Sequence, residues 1–358
     1  MLPYFLLFGI PAGYCLGRNW LNIKMTYRRK EFVLNFFFGC FLVILMCRNI
    51  TCGTDLRNYA AIFSDAVLSP FRNSYEVEWG YNVLESIIGL FTKDYQVNLV
   101  ILALISVIPI YIMYKKEVEI PYLTIILFLT VAPFSMYFSG MRQVVAMAFA
   151  VPVYYFSREK RILPSLLTVA ASSLFHKSAW VMIVFYPVYH LQLTKKSLIW
   201  LIPGLVFTLA FNQQIFTVIL HFMGDRYIEK YSTTTSTGAY SILILLIIFV
   251  VYSFLLVRDV SLDKNVVGLR NILLLTAVIQ CFAPIHSIAM RMNYYFLPFI
   301  PILIPKIANR CSSKNRAMAK LSVIVLCLGL TAIYLREMYT GADILNIYPY
   351  VPFWGNEN

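Results

Sequence analysis

Three basic side chains stand apart in this chain. Arg142 lies in "MYFSGMRQVVAMAFAVPVYYF" (136–156), His176 in "LFHKSAW" and Arg291 in "MRMNYYFLP", each bordered by apolar runs. A guanidinium is permanently charged, and its fork of N–H donors matches phosphate oxygens; an imidazole exchanges a proton near neutrality. Together they suit chemistry in which a phosphate-bearing group leaves while a hydroxyl loses its proton. Carboxylates and aromatic rings accompany them: Asp55, Arg57 and Tyr59 in "TDLRNYAAIF", and Glu76, Glu78, Trp79 and Tyr81 in "YEVEWGYNVLE". Glu76 and Glu78 flank Val77, so an extended backbone aims both the same way. Carboxylates beside ring faces suit sugars, whose hydroxyls need acceptors and whose C–H faces stack on π systems. Gln143 and Lys177 adjoin Arg142 and His176, and Asn293 and Tyr294 follow Arg291.

The elements that hold these residues are set by the solvent. The 358 residues are 60% hydrophobic and 13% charged, against about a quarter charged in an ordinary soluble domain. That balance predicts an all-α, polytopic integral membrane protein. Spans are expected at 2–17, 32–50, 96–114, 121–139, 143–157, 162–175, 178–194, 197–222, 240–257, 267–290, 292–308 and 319–335, about twelve transmembrane helices. The first lacks a basic leader and a cleavage site and is expected to be retained. No repeat or soluble domain interrupts the chain, which reads as one integral membrane domain, 1–358. The cysteines (15, 40, 47, 52, 281, 311 and 327) form no CxxC or Cys/His cluster, so no metal and no cofactor is expected.

Lysine and arginine set the orientation. If 18–30 is cytoplasmic, most basic residues fall in that loop and in alternate loops after it, including Lys115, Lys116, Arg158, Lys195, Lys196, Lys306 and Arg310. The net charge of +13 is then largely a topology signal and excludes a nucleic-acid partner. These loops read as short, solvated and featureless. The chemistry-bearing residues gather on the outer side, in a loop at 51–95 and at the outer ends of spans; both termini are expected outside. Arg142, His176 and Arg291 each read as opening a helix that runs inward. An arginine there has the wrong sign for the helix dipole unless an anion joins it. The alternatives for Arg142 are snorkelling to headgroups or pairing with Glu76 or Glu78. In 81–92, Leu84, Ile87, Ile88 and Phe91 form one stripe, which predicts an amphipathic helix at the outer interface. The tail 336–358 carries Tyr348, Tyr350, Phe353 and Trp354, either as an interfacial belt or as a lid.

In this order and spacing, "D-x-R-x-Y" from Asp55, "E-W-G-Y" from Glu78, "G-M-R-Q" at 140–143, "F-H-K-S-A" at 175–179 and "R-x-N-Y-Y" from Arg291 resemble the EpsG-like group of Wzy-type bacterial polysaccharide polymerases. The resemblance implies a metal-independent glycosyltransferase at the outer face of the cytoplasmic membrane. It would join oligosaccharide repeat units carried on undecaprenyl diphosphate into O-antigen, capsule or exopolysaccharide, and it leaves room for a chain-length regulator as partner. On that reading Arg142 and Arg291 meet the diphosphate, Gln143, Arg57, Tyr59, Glu76, Trp79, Tyr81, Lys177, Asn293 and Tyr294 bind substrate, and the base is His176, by preference, or a carboxylate among Asp55, Glu76 and Glu78. A flippase for the same lipid-linked sugars and a membrane sugar O-acyltransferase are the competing readings.

Overall fold

The computed structural model describes residues 3, 4, 6, 7, 9, 10, 13, 26–131, 134–223, 240–256, 263–311, 313–340 and 345–355. Most of the expected first span, with Arg18 and Lys24 after it, the 224–239 connection and Arg258 lie outside the described residues.

The described chain is helical, without a strand; a lone bridge joins Arg48 to Pro352. Helix α1 (Tyr27–Met46) packs along α4 (Tyr95–Glu117). Between them, α2 (Leu56–Leu68) and α3 (Trp79–Phe91) pair over the Tyr95 end of α4, where the Tyr95 hydroxyl donates to the Leu56 carbonyl at 3.1 Å. After α5 (Pro121–Thr130) and a single turn at Met136–Ser139, the chain breaks at Gly140 and restarts as α6 (Met141–Ala148) and α7 (Ala150–Arg158). Helix α8 (Ile162–Ser173) returns, and a 3-10 helix, Lys177–Val184, leads into α9 (Phe185–Tyr189). Then follow α10 (Leu198–Ala210), α11 (Asn212–Met223), α12 (Tyr240–Leu255), α13 (Lys264–Gln280), α14 (Ser287–Asn293), α15 (Ile300–Arg310) and α16 (Ser313–Tyr339).

Among the described residues, α4 alone is a continuous helix long and apolar enough to cross a bilayer. Two bent pairs raise the number to three: Lys195–Ala210 with Asn212–Val218, bent by 78°, and Ser287–Asn293 with Leu297–Arg310, bent by 43°. Runs that read as single spans are interrupted. Among its described residues, the 121–139 stretch holds the ten residues of α5 and a separate turn. Hydropathy registers composition and does not register bends.

The contacts sort the molecule into two ends. At the Glu117 end of α4, the buried Glu117 carboxylate sits between Arg158 of α7 and Lys306 of α15, the latter at 2.9 Å. Arg310 joins Glu119 at 3.0 Å and Asp263 at 2.9 Å. The loops expected to be featureless thus end in an ion-paired network, because cations needed for topology fall where helix ends pack and must be compensated. Arg142, His176 and Arg291 lie at the opposite, Tyr95 end, as the alternation of helices requires.

Helix α3 is amphipathic in the reverse of the usual sense. Its polar residues Asn82, Glu85 and Ser86 are buried with Tyr81 and Ile88, while Ile87, Leu90 and Phe91 are exposed. Of the stripe expected from the sequence, Ile87 and Phe91 face outward, whereas Leu84 is half-buried and Ile88 turns inward with the polar residues. The tail is fastened rather than free: Asn49 N–H donates to Val351 at 2.8 Å, Phe353 N–H to Cys47 at 2.8 Å, and the Tyr350 hydroxyl to Ile44 at 3.0 Å. It is a strap over the α1–α2 connection.

Candidate active site

Glu78 is the centre of the arrangement. Two glycines bring its partners to it. At Gly80 the start of α3 lies against the end of α8: the Gly80 N–H donates to Leu174 O at 2.8 Å, and any Cβ on Gly80 would fall 2.8 Å from the Leu174 Cβ. That contact sets Glu78, the residue before α3, beside 176–178. Gly140 breaks the chain so that α6 starts at Met141, which puts Arg142 in its first turn.

Arg142 Nη1 then donates to Glu78 Oε2 at 2.7 Å, and the Lys177 N–H donates to Glu78 Oε1 at 3.2 Å. Arg142 Nε reaches the Tyr59 hydroxyl of α2 at 3.5 Å, and its guanidinium lies 6.0 Å from the Tyr59 ring centre. The second terminal nitrogen, Nη2, has no protein partner among the described residues, and the side chain is 31% exposed. Arg142 is therefore both paired and open to an anion. Burial pushes the Glu78 carboxyl up, but Arg142, with help from His176 and two backbone N–H groups, outweighs it and holds the carboxyl below its ordinary value.

His176 is the N-cap of the 3-10 helix. Its Nδ1 accepts the Ser178 N–H at 3.2 Å and lies 3.0 Å from the Ser178 hydroxyl, which is 3.0 Å from the Tyr295 hydroxyl. A ring nitrogen that accepts a backbone N–H carries no proton, so the neutral ring holds its proton on Nε2. Burial and the nearby Arg142 and Arg291, outweighing Glu78, push its pKa down to about 4. His176 is thus neutral at physiological pH, with Nε2 the donor and its one free lone pair, on Nδ1, engaged by Ser178.

Arg291 joins through Gln143, whose Nε2 donates to the Arg291 carbonyl at 2.6 Å. It does not open a helix as expected. It lies in the last turn of the seven-residue α14, where its charge agrees with the dipole. The chain bends again before α15, where Pro298 and Pro301 stand at the restart.

The other expected site residues divide. Tyr59, Glu78, Arg142, Gln143, His176, Lys177 and Arg291 are brought together. Tyr81 is fully buried and meets Tyr59 edge-on at 5.8 Å. Asn293 is buried, donating to Thr276 O at 3.1 Å and Gln280 Oε1 at 2.8 Å, so it braces α14 against α13. Tyr294 is half-buried beside it. Asp55 precedes α2, its N–H donating to Ser139 Oγ at 3.2 Å, and Arg57 is exposed on α2. Glu76 and Glu78 do not point together: Glu76 has φ +50°, which breaks the extended alternation and leaves its side chain exposed. Trp79 is 66% exposed.

Tyr295, noted in the sequence beside Tyr294 but given no role, joins the site through Ser178, and three residues were missed. Ser178 lies inside the quoted "FHKSA" but carries no charge to attract notice. His286 repeats the His176 device, its Nδ1 accepting the Ile288 N–H at 3.0 Å as N-cap of α14; "HKSA" and "HSIA" at 176 and 286 were the available signal. Glu85, fully buried on α3, accepts from Asn98 Nδ2 at 2.8 Å, with the Tyr81 hydroxyl beside it. Burial raises the Glu85 pKa to about 7.

The arrangement can ionise a carboxylate, present a neutral imidazole N–H, and offer the remaining Arg142 guanidinium donors to an anion. Comparison with curated proteins and with solved structures found no match. The model of the EpsG family does match, from α1 to the C-terminal strap, over residues 31–351; the chain belongs to the EpsG family, and with it to polysaccharide biosynthesis.

Proposed function

We propose that this protein is a metal-independent glycosyltransferase that polymerises undecaprenyl-diphosphate-linked oligosaccharide repeat units at the outer face of the bacterial cytoplasmic membrane, crossing it about twelve times, with bent and interrupted helices supplying several crossings. The observation that carries the reading is the meeting of Glu78, Arg142 and His176 at one end of the helices, with Arg291 held close by Gln143.

In the reaction, the bond between the donor sugar's anomeric carbon and the diphosphate oxygen breaks, and a bond from that carbon to an acceptor hydroxyl forms. The leaving diphosphate gains charge, which Arg142 Nη2 meets, with Arg291 adding positive charge from α14. The His176 Nε2–H donates a further hydrogen bond to the same oxygens. The acceptor's proton passes to Glu78, which Arg142 keeps ionised. The exposed Trp79 offers a ring face for a sugar, and Ile87, Leu90 and Phe91 seat α3 at the interface where a lipid-linked substrate arrives. Asp55, Arg57 and Glu76 line the approach rather than the reaction.

The test is the polysaccharide itself. Arg142→Ala should leave the protein inserted and abundant while long chains are replaced by single repeat units on the lipid. Loss of one preorganised donor of this kind costs about a hundredfold or more. Arg142→Lys should also be impaired, since a point charge cannot hold Glu78 and an anion on one fork. Polymer of full length from the Arg142→Ala strain overturns the proposal.

A further inference from the structure

A large apolar groove lies apart from the residues around Glu78 and shares none of them. It is a groove of about 1030 Å³ along α1, lined among others by Leu6, Ile10, Phe32, Phe36, Gly39 and Val43, with Arg29 at one end. Nothing in the proposed reaction uses it.

Three features define what fits. The first is charge. Arg28 and Arg29 are exposed at the mouth and Lys30 is half-buried beside them. The one carboxylate close by in sequence, Glu31, is already paired with Lys115 at 3.1 Å. That pair also places the mouth at the Glu117 end of α4, opposite the candidate active site. The second is shape. A Cβ on Gly39 would meet nothing within 4 Å, so this mid-helix glycine leaves a dent. Ten residues of helix separate it from Arg29, about 15 Å, the depth of one leaflet's hydrocarbon. The third is closure. At the far end Tyr350 donates to Ile44 O at 3.0 Å, Tyr4 donates to Ile347 O at 2.9 Å, and the two tyrosine rings meet edge-on at 5.9 Å. The strap shuts the groove where it nears the active-site end.

We infer that this groove holds one anionic phospholipid of the leaflet at the Glu117 end, its phosphate on Arg29 and its acyl chains laid along α1 to Gly39 and Val43. An apolar slot with a basic rim at one membrane boundary is what a diacyl anion requires. The closed far end disfavours the carrier lipid of the proposed reaction, whose diphosphate would have to lie at the opposite end.

The experiment uses the full chain purified in mild detergent. Retained lipid is measured by native mass spectrometry, and thermal unfolding is followed on adding phosphatidylglycerol or phosphatidylcholine. Wild type should retain and be stabilised by phosphatidylglycerol in preference to phosphatidylcholine. Arg29→Ala, on an exposed side chain that the fold does not need, should weaken that preference about fivefold. Gly39→Phe should lose retained lipid of either headgroup, while Gly39→Ala keeps it. Equal response to the two lipids, retention of a polyprenyl phosphate in their place, or undiminished retention by Gly39→Phe each overturn the inference.

Discussion

Glu85 gives the sharpest quantitative expectation. It is fully buried between α3 and α4, accepts one hydrogen bond from Asn98, and faces no cation. Burial outweighs the help of Tyr81 and Asn98 and raises its pKa from an ordinary 4.5 to about 7. A raised carboxyl favours the protonated folded state. Its contribution is therefore fully present below pH 4.5, declines as pH rises, and is lost once pH passes about 7. The 2.5-unit gap between those values corresponds to about 3 kcal/mol. Glu85→Gln keeps an acceptor for Asn98 and cannot ionise. Variant and wild type should then unfold alike near pH 4.5, and the variant should become the more stable by up to about 3 kcal/mol at pH 8. The assay is thermal unfolding of both proteins in the same detergent from pH 4.5 to 8.5, read as the difference between them so that every other titration cancels. A variant less stable than wild type at pH 8 means the carboxylate is compensated by a charge, and a difference independent of pH means it does not titrate; either refutes the reasoning.

Two further expectations follow from the geometry. Because His176 is neutral above a pKa of about 4, polymer formation measured against pH in membranes should show no histidine limb between pH 6 and 7. His176→Asn keeps an acceptor for the Ser178 N–H but removes the Nε2–H, and should lower the rate without altering the profile's shape; a limb near 6.5 that disappears in this variant restores His176 as the base. At the other end, Glu117→Ala leaves Lys306, 10% exposed, and Arg158 without their shared carboxylate, a loss of about 3–5 kcal/mol for a buried pair. Glu159→Ala, whose partner Arg161 is 55% exposed, should change thermal stability by less than about 1 kcal/mol, and equal effects of the two substitutions contradict the network.

What could be read from the sequence was decided by the range of the cause. That Arg142 and His176 share one end needs only the alternation of apolar runs, and a run of apolar residues is a local property. Arg142 beginning a helix was legible for the same reason, since Gly140 stands immediately before it. Arg291 was misplaced because the 267–290 run was read as continuous, although Pro284 and the cap His286 divide it and Pro298 marks the bend that follows α14. The Glu76–Glu78 register failed on one backbone angle, the +50° φ of Glu76. An extended pattern assumed for three residues cannot survive one left-handed residue among them.

Glu85 exposes a deeper limit. On a soluble helix an acid opposite an apolar stripe belongs in water, and that rule would have put Glu85 on the surface. Here the apolar stripe of Ile87, Leu90 and Phe91 is the exposed one, and the polar side packs onto α2 and α4. When the surroundings are hydrocarbon, exposure ceases to select polarity, and a buried polar residue is the expected partner of an exposed apolar one. The same inversion explains why Tyr81, taken from the sequence for a sugar platform, is instead a buried brace. It meets Tyr59 edge-on, Tyr59 receives Arg142, and Arg142 holds Glu78. Buried α3 residues therefore stand one contact behind the groups assigned to the chemistry, and substitutions at Tyr81 act on the site through Tyr59.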